Sequence, residues 1–508
     1  MNIQELTIEL LPGEYWWGGR ASDGRRMPFG DSFFSVDLAS NLGGNQGCPL
    51  LISSKGRYIW SEEPFSFQFG QNRLKVTGGE GQLLSGEGRE TLRGAYSYVS
   101  STFFPPDPSI PEELLFTAPQ YNLWIELLYE PTQEKVLQYA REVLAHGMPP
   151  GVIMIDDNWH EPYGSWTFHS GRFPDPGRMV RELHDMGFQV MLWVCPFVSP
   201  DSLTFRKLDR TGILLKDRNG MTAIRKWWNG YSAVLDCTNP EAVKWIHEQL
   251  DALQRDYGID GFKLDAGDPE YYEPDDLSYV PATTRNGHCE AWAKVGLNYR
   301  LNEYRACWKL AGQPLVQRLK DKNSEWEGNG LDTLIPDGLA QGLLGYAYIC
   351  PDMIGGGQYE SFSADRLDPE LFVRYAQCSA LFPMMQFSAA PWHVLDEQHL
   401  RYCVEAAGLH ARFGPEILEL AKHAARTGEP IVRHMAYEFP GEGMETVQDQ
   451  FMLGSSLLVA PVITKGARTR TVKFPAGTWI GDDGSVATGP AVEQIDVPLG
   501  RLPWYRKK

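Results

Sequence analysis

The chain has no Cys-x-x-Cys pair, no His-Glu-x-x-His segment and no run of about 18 or more apolar residues. Its eight cysteines, Cys48, Cys195, Cys237, Cys289, Cys307, Cys350, Cys378 and Cys403, are scattered singly. Single thiols favour reduced cysteines in a cytoplasm over a disulfide framework or a zinc site. The eleven histidines show no ligand spacing, so no metal is expected. Met1-Asn2-Ile3-Gln4-Glu5-Leu6 carries neither a basic nor an apolar segment, which predicts no secretory leader. Positive charge is in deficit: 47 Lys and Arg stand against 65 Asp and Glu, for a net charge of −18. With no basic cluster, that argues against nucleic acid and anionic membranes as partners. No glycine-rich phosphate turn follows a first strand, and Gly355-Gly356-Gly357 opens no phosphate-binding pattern, so it reads as a flexible loop. No organic cofactor is therefore expected. Homo-oligomerisation is left open.

What is present is length and aromatic surface. At 508 residues the chain predicts two to four domains. Aromatics make up 12%, including 16 Trp, a composition that suits either a packed core or a pocket that stacks on sugar rings.

Residues 1–115 read as an N-terminal β-sandwich, with apolar runs at Ile3–Leu10, Phe33–Leu38, Pro49–Ile52, Phe65–Gln68, Gln82–Leu84 and Tyr96–Phe103 between turn clusters. From 116 to 427 strands alternate with amphipathic helices. Strands are predicted at Leu123–Leu128, Val152–Ile155, Gln189–Val194, Gly261–Leu264, Leu315–Leu319, Tyr346–Ile349 and Met384–Phe387, with an eighth near Pro430–Val432 or elsewhere. Helices are predicted at Thr132–His146, Gly177–Met186, Pro240–Tyr257, Ile335–Leu344 and Pro369–Ala380. The pattern fits a (β/α)8 TIM barrel of the α/β class, with a doubly wound sheet as the alternative. Residues 428–508 return to β and are expected to form a C-terminal sandwich.

Several predicted strands end in carboxylates or Trp: Asp156-Asp157, Trp193, Asp265, Asp321 and Asp352. In a barrel those ends converge on one face. A cup of carboxylates and indoles suits a neutral polyhydroxylated small molecule, and two carboxylates form the acid/nucleophile pair of glycoside hydrolysis. Lys263 lies two residues before Asp265, so both side chains face one way and the ammonium favours an ionised carboxylate. Capping or turn formation is the alternative use of each Asp.

The motifs in and around those ends are Ile155-Asp156-Asp157-Asn158-Trp159, Phe173-Pro174-Asp175-Pro176, Leu192-Trp193-Val194-Cys195-Pro196, Trp227-Trp228-Asn229-Gly230, Phe262-Lys263-Leu264-Asp265-Ala266-Gly267-Asp268 and Asp352-Met353-Ile354-Gly355-Gly356. In order and spacing, over roughly residues 120–400, they resemble glycoside hydrolase family 31. Within it they are most similar to the branch of myogenesis-regulating glycosidases and bacterial α-galactosidases. The resemblance implies a retaining exo-α-glycosidase without cofactor, α-galactosidase first, with α-glucosidase, another α-hexosidase, a transglycosylase or an inactive sugar-binding relative as alternatives. It implies Asp265 as nucleophile and Asp321 as acid/base, with Asp332 as competitor. Asp156, Asp157, Trp193, Trp228, Lys263, Arg305 and Asp352 are implied as substrate-binding groups. Arg305 is otherwise a helix-surface Arg. A general acid must hold a proton, and Arg318, Lys320 and Lys322 flank Asp321; on a strand end the two lysines should point away. The family's sugar-binding His is replaced by Met384–Ser388, with His393 further on, and Asp268 stands where Glu is usual.

Overall fold

A computed structural model describes residues 4–39, 41–78 and 82–508. Ile3 of the first predicted strand lies outside the described residues. At the centre is an eight-stranded parallel sheet. Its strands are β1 (Gln120–Asn122), β2 (Val152–Ile155), β3 (Gln189–Val194), β4 (Gly261–Leu264), β5 (Leu301–Tyr304), β6 (Gln317–Arg318), β7 (Ile349–Cys350) and β8 (Gln386–Phe387). They follow one another in chain order, and β8 returns to pair with β1. Between β7 and β8 a bridge from Met353 to Gln386 brings the ends together, with the Ile354 amide donating to the Gln386 carbonyl at 2.8 Å. The (β/α)8 barrel expectation therefore holds.

The helices form where amphipathic spacing and caps coincide. Asp175 accepts from the Arg178 amide ahead of Pro176–Asp185, and Asn239 caps Pro240–Tyr257, which ends at Gly258 in the left-handed region. Several strands differ from expectation. Leu123–Leu128 is not a strand: β1 lies just before it, and the Asn122 side chain accepts from the Trp124 amide to start the helical turn Trp124–Leu127. The strand absent from the predicted set is β5, Leu301–Tyr304, while Val432–Arg433 belongs to the C-terminal sheet. Tyr96–Phe103 is part of a helix, Leu92–Phe103, capped by Thr91 and burying Leu92, Ala95, Tyr96 and Val99 at helical spacing.

The N-terminal region is two sheets. One of them extends into the barrel domain: Gln46–Ser53 pairs in parallel with Cys307–Trp308. The C-terminal region is a single six-stranded antiparallel sheet rather than a sandwich. Between β3 and β4 a three-stranded sheet is inserted, with Ile224–Trp227 and Gly230–Val234 joined by a tight hairpin. Among the described residues no helix is long and apolar enough to cross a membrane.

Candidate active site

The C-terminal ends of the barrel strands open into a cavity of about 320 Å³. It is lined by Trp124, Tyr129, Asp156, Asp157, Trp193, Trp228, Lys263, Asp265, Arg305, Arg318, Asp321, Met353, Gln358, Tyr359 and Glu360. A groove of about 800 Å³ is larger but lies at the opposite strand ends, among Asp107, Tyr299, Arg300 and Gln313. Barrel enzymes place their chemistry at the C-terminal face, so the smaller cavity is the candidate site.

Asp265 leaves β4 buried. The Trp193 indole N–H donates to its Oδ2 at 2.7 Å, and the Ala266 amide donates to its Oδ1 at 2.9 Å. Lys263 Nζ and Arg305 Nε each lie 3.9 Å from the carboxylate. Burial works against its charge, but Lys263, Arg305, Arg318 and the indole prevail and hold Asp265 below the usual carboxylate range. An ionised carboxylate in such a setting is equipped as a nucleophile. Trp193 is itself buried, and its N–H fixes the carboxylate as well as forming a wall.

Lys263 also donates to Asp156 Oδ2 at 2.7 Å. Burial, then the neighbouring Asp265 charge, push Asp156 up against Lys263's pull. Asp157 is occupied by protein: it accepts from the Asn158 amide at 2.6 Å, Tyr163 at 3.0 Å and Asn229 Nδ2 at 2.7 Å. Asn229 sits in the inserted hairpin, so Asp157 holds that hairpin over the cavity. The hairpin tip presents Trp228, 44% exposed, with the Arg305 guanidinium 5.0 Å from its ring centre.

Arg305 is the first residue after β5, so the helix-surface alternative is excluded. Its guanidinium pairs with Asp268 at 3.2 Å and comes within 4.0 Å of Asp321 Oδ2. One cation thus spans the two proposed catalytic carboxylates.

Asp321 follows β6 and lines the cavity, its side chain 26% exposed. Of the basic residues that flank it in sequence, Arg318 reaches it, donating to Oδ1 at 2.8 Å. Lys322 turns away to a buried pair with Asp337 at 2.5 Å. Asp332 does not line the cavity; it lies in the 3-10 turn Leu331–Thr333 and pairs with Arg25 at 3.0 Å, whereas Asp321 lines it. Asp352 does not line it either. It is fully buried behind Arg318, which donates to it at 2.6 Å, and it accepts from the Lys322 and Gly357 amides. Burial, eased by Arg318, leaves the Asp352 carboxyl pushed up to about 6. Its place is to hold Arg318 rather than to touch a ligand.

The sequence reading missed Trp124, Tyr129, Tyr359 and Glu360. Trp124 follows a strand end, a signal hidden by the misplaced β1. Tyr359 and Glu360 follow the triple glycine read as a flexible loop. That loop packs closely: a Cβ on Gly357 would sit 2.8 Å from Asp352 Oδ1 and 3.0 Å from Asp321 Oδ1. His393 lies outside the cavity, bound to Glu126 at 2.7 Å. Among the described residues no cluster of three or more His, Cys, Asp or Glu is arranged to hold a metal ion.

Two family models match the chain: the glycosyl hydrolases family 31 TIM-barrel domain over residues 116–415 and the family's C-terminal domain over 428–508. The mouse (Mus musculus) myogenesis-regulating glycosidase is 34% identical over 414 residues, covering 80% of this chain and 58% of that protein. Alpha-glucosidase 2 of Bacillus thermoamyloliquefaciens is 26% identical, covering 74% of this chain and 51% of its own length. The chain thus spans about half to three-fifths of these relatives. A family 31 alpha-xylosidase from a soil metagenome, solved with xylose, superposes with a TM-score of 0.88 at 22% identity, covering 100% of this chain and 79% of the other. The carboxylates at the strand ends and the family match over both regions agree, and the chain belongs to glycosyl hydrolase family 31.

Proposed function

We propose that the chain is a retaining exo-α-glycosidase acting on terminal α-linked hexoses, with α-galactosides as the first substrates to test. The carrying observation is that Asp265 and Asp321 line one small cavity and are joined by Arg305, 3.9 Å from one and 4.0 Å from the other. In the first step an Asp265 oxygen attacks the anomeric carbon, the glycosidic C–O bond breaks, and Asp321 gives its proton to the departing oxygen. In the second, water attacks the glycosyl ester, Asp321 takes its proton, and Asp265 departs as carboxylate. Lys263 and Trp193 hold Asp265 ionised for attack, and Asp156 accepts sugar hydroxyls beside it.

A cavity at the small end of the roughly 300–1,000 Å³ of ligand pockets supports action on a chain end rather than along a polymer. Its cations are all matched: Lys263 by Asp156 and Asp265, Arg305 by Asp268, Arg318 by Asp321 and Asp352. That disfavours an anionic sugar. The galactose preference rests on the motif resemblance alone. One observation favours a second reading, binding without turnover: Arg318 occupies an oxygen of the residue that has to deliver a proton.

The test is a panel of nitrophenyl α-glycosides of galactose, glucose, xylose and N-acetylgalactosamine. Turnover of at least one, with retained configuration and loss in Asp265→Asn, is expected. Hydrolysis of none, together with measurable sugar binding, would establish the second reading.

A further inference from the structure

The loop that carries Asp321 has little regular structure of its own. β6 is two residues long, and no helix or strand forms again until the turn Leu331–Thr333. Much of what fixes its start comes from the N-terminal domain. Asn45 Oδ1 accepts from the Lys320 amide at 2.9 Å, one residue before Asp321. Gln46 Nε2 donates to two carbonyls, Arg305 at 2.7 Å and Arg318 at 3.1 Å. Its Oε1 in turn accepts from Gln341. Both amides are fully buried, and the backbone of Gln46 is in register with Cys307, two residues past Arg305. Gly44 lets the same loop pass over the arginine: its φ is +67°, and a Cβ there would lie 3.0 Å from Arg305 Nη2.

Buried amides are costly unless bonded, so a residue that only filled space here would be apolar. These two are bonded to the main chain of Arg305, of Arg318 and of Lys320, the residue before Asp321. The side chains of Arg305, Arg318 and Asp321 all line the cavity. We infer that Asn45 and Gln46 are positioning residues for acid/base catalysis, so that the N-terminal domain completes the active site of the barrel. The inference rests on the proposed retaining hydrolysis. A displacement of about 1 Å in such a group lowers rates on the order of 100-fold.

The experiment compares kcat/KM on a methyl α-glycoside, which needs protonation of its leaving group, with a 2,4-dinitrophenyl α-glycoside, which does not. Asn45→Ala is expected to lose roughly 10- to 100-fold on the first and less than about threefold on the second. Asn45→Asp keeps the accepting oxygen and gives up only an Nδ2 that has no partner, so it should recover most of the loss. Gln46→Met carries the same selective expectation and serves if Asn45→Ala does not fold. Equal losses on both substrates, or none, at unchanged melting temperature would overturn the inference. Hydrogen exchange of the peptide containing Lys320 and Asp321 is measured alongside and should quicken in Asn45→Ala; unchanged exchange also overturns it. If the wild type cleaves neither glycoside, the hydrolase reading has failed, and the exchange comparison decides the brace by itself.

Discussion

Lys263→Met removes the one ammonium that faces both Asp156 and Asp265, at 2.7 Å and 3.9 Å. Burial disfavours that ammonium, but the charges of Asp156 and then Asp265 hold Lys263 above its ordinary range, so the wild-type site carries a full positive charge there. At an effective dielectric of about 20, a unit charge 3.9 Å away is worth about 4 kcal/mol to the Asp265 carboxylate. That converts to at most about three pH units. The sign follows from the direction already present: Asp265 is held low by Lys263 against its burial, so losing the cation raises it. Attack requires the ionised form. The acidic limb of kcat against pH should therefore move up by about one to three pH units.

The assay is kcat from pH 3 to 8 on a dinitrophenyl glycoside, where protonation of the leaving group does not intrude. A control separates charge from general damage. Asp156→Asn in the Lys263→Met background removes a neighbouring negative charge that also raises Asp265, so the limb should fall back toward the wild-type position. Lys263→Met alone loses stability, because a buried ion pair deprived of one partner costs about 3–5 kcal/mol, and the double variant should regain part of it; thermal melts record this independently. An acidic limb that stays put in Lys263→Met would refute the claim that this lysine sets the ionisation of Asp265.

Asp265→Asn should abolish turnover on every glycoside, and substantial residual activity would displace it as nucleophile. Asp321→Ala should slow poor leaving groups far more than dinitrophenyl glycosides and be rescued by azide; equal loss on both would point to another acid. Gly267→Ala places a Cβ 2.2 Å from Trp292 Cδ1 at a φ of +75°. Since the Trp292 N–H bonds the Asp265 carbonyl at 3.2 Å, the melting temperature and kcat should fall together. His410 and His434 are both lowered by burial to about 4. Each is neutral in the fold and protonated when unfolded, so stability is intact above about pH 6.5 and is lost as the pH falls toward 4, by about 3 kcal/mol per residue. Urea midpoints at pH 7 and pH 5 check this, and His410→Gln should flatten the dependence.

The parts legible in the sequence are those where one local rule acts alone. Pro240–Tyr257 and Pro369–Ala380 match their predicted bounds because amphipathic spacing, an Asn or Asp cap and a first-turn Pro agree. Lys263 and Asp265 were legible because a strand sends residues i and i+2 to one side. Arg305 was named from the resemblance alone, because its strand was missed: Leu301-Asn302-Glu303-Tyr304 is half polar, yet all four residues are buried. Asn45 and Gln46 lie more than 250 positions from the backbone they hold, a distance that no local pattern spans.

The missed strand and the site have one cause. The top of this barrel is filled with polar groups: Gln386 donates to Gln120 and to Glu303, each at 2.6 Å, and Arg318 lies between Glu303, Asp321 and Asp352. Three carboxylates around one guanidinium are a poor way to stabilise a core, since well-packed apolar residues serve at least as well. They make sense as a scaffold that keeps Arg318, and through it Asp321, in one place. The same substitution of charge for hydrocarbon erases the apolar pattern by which a buried strand is recognised. In this chain the stretches that hydrophobic periodicity misreads, β1 and β5, are the ones followed within two residues by Trp124 and Arg305, which line the cavity. Failure of the apolar pattern inside an otherwise regular strand–helix alternation therefore marks the site, and Glu303→Leu, which takes one carboxylate from Arg318 and an acceptor from Gln386, should lower the melting temperature and, by loosening Arg318, lower kcat.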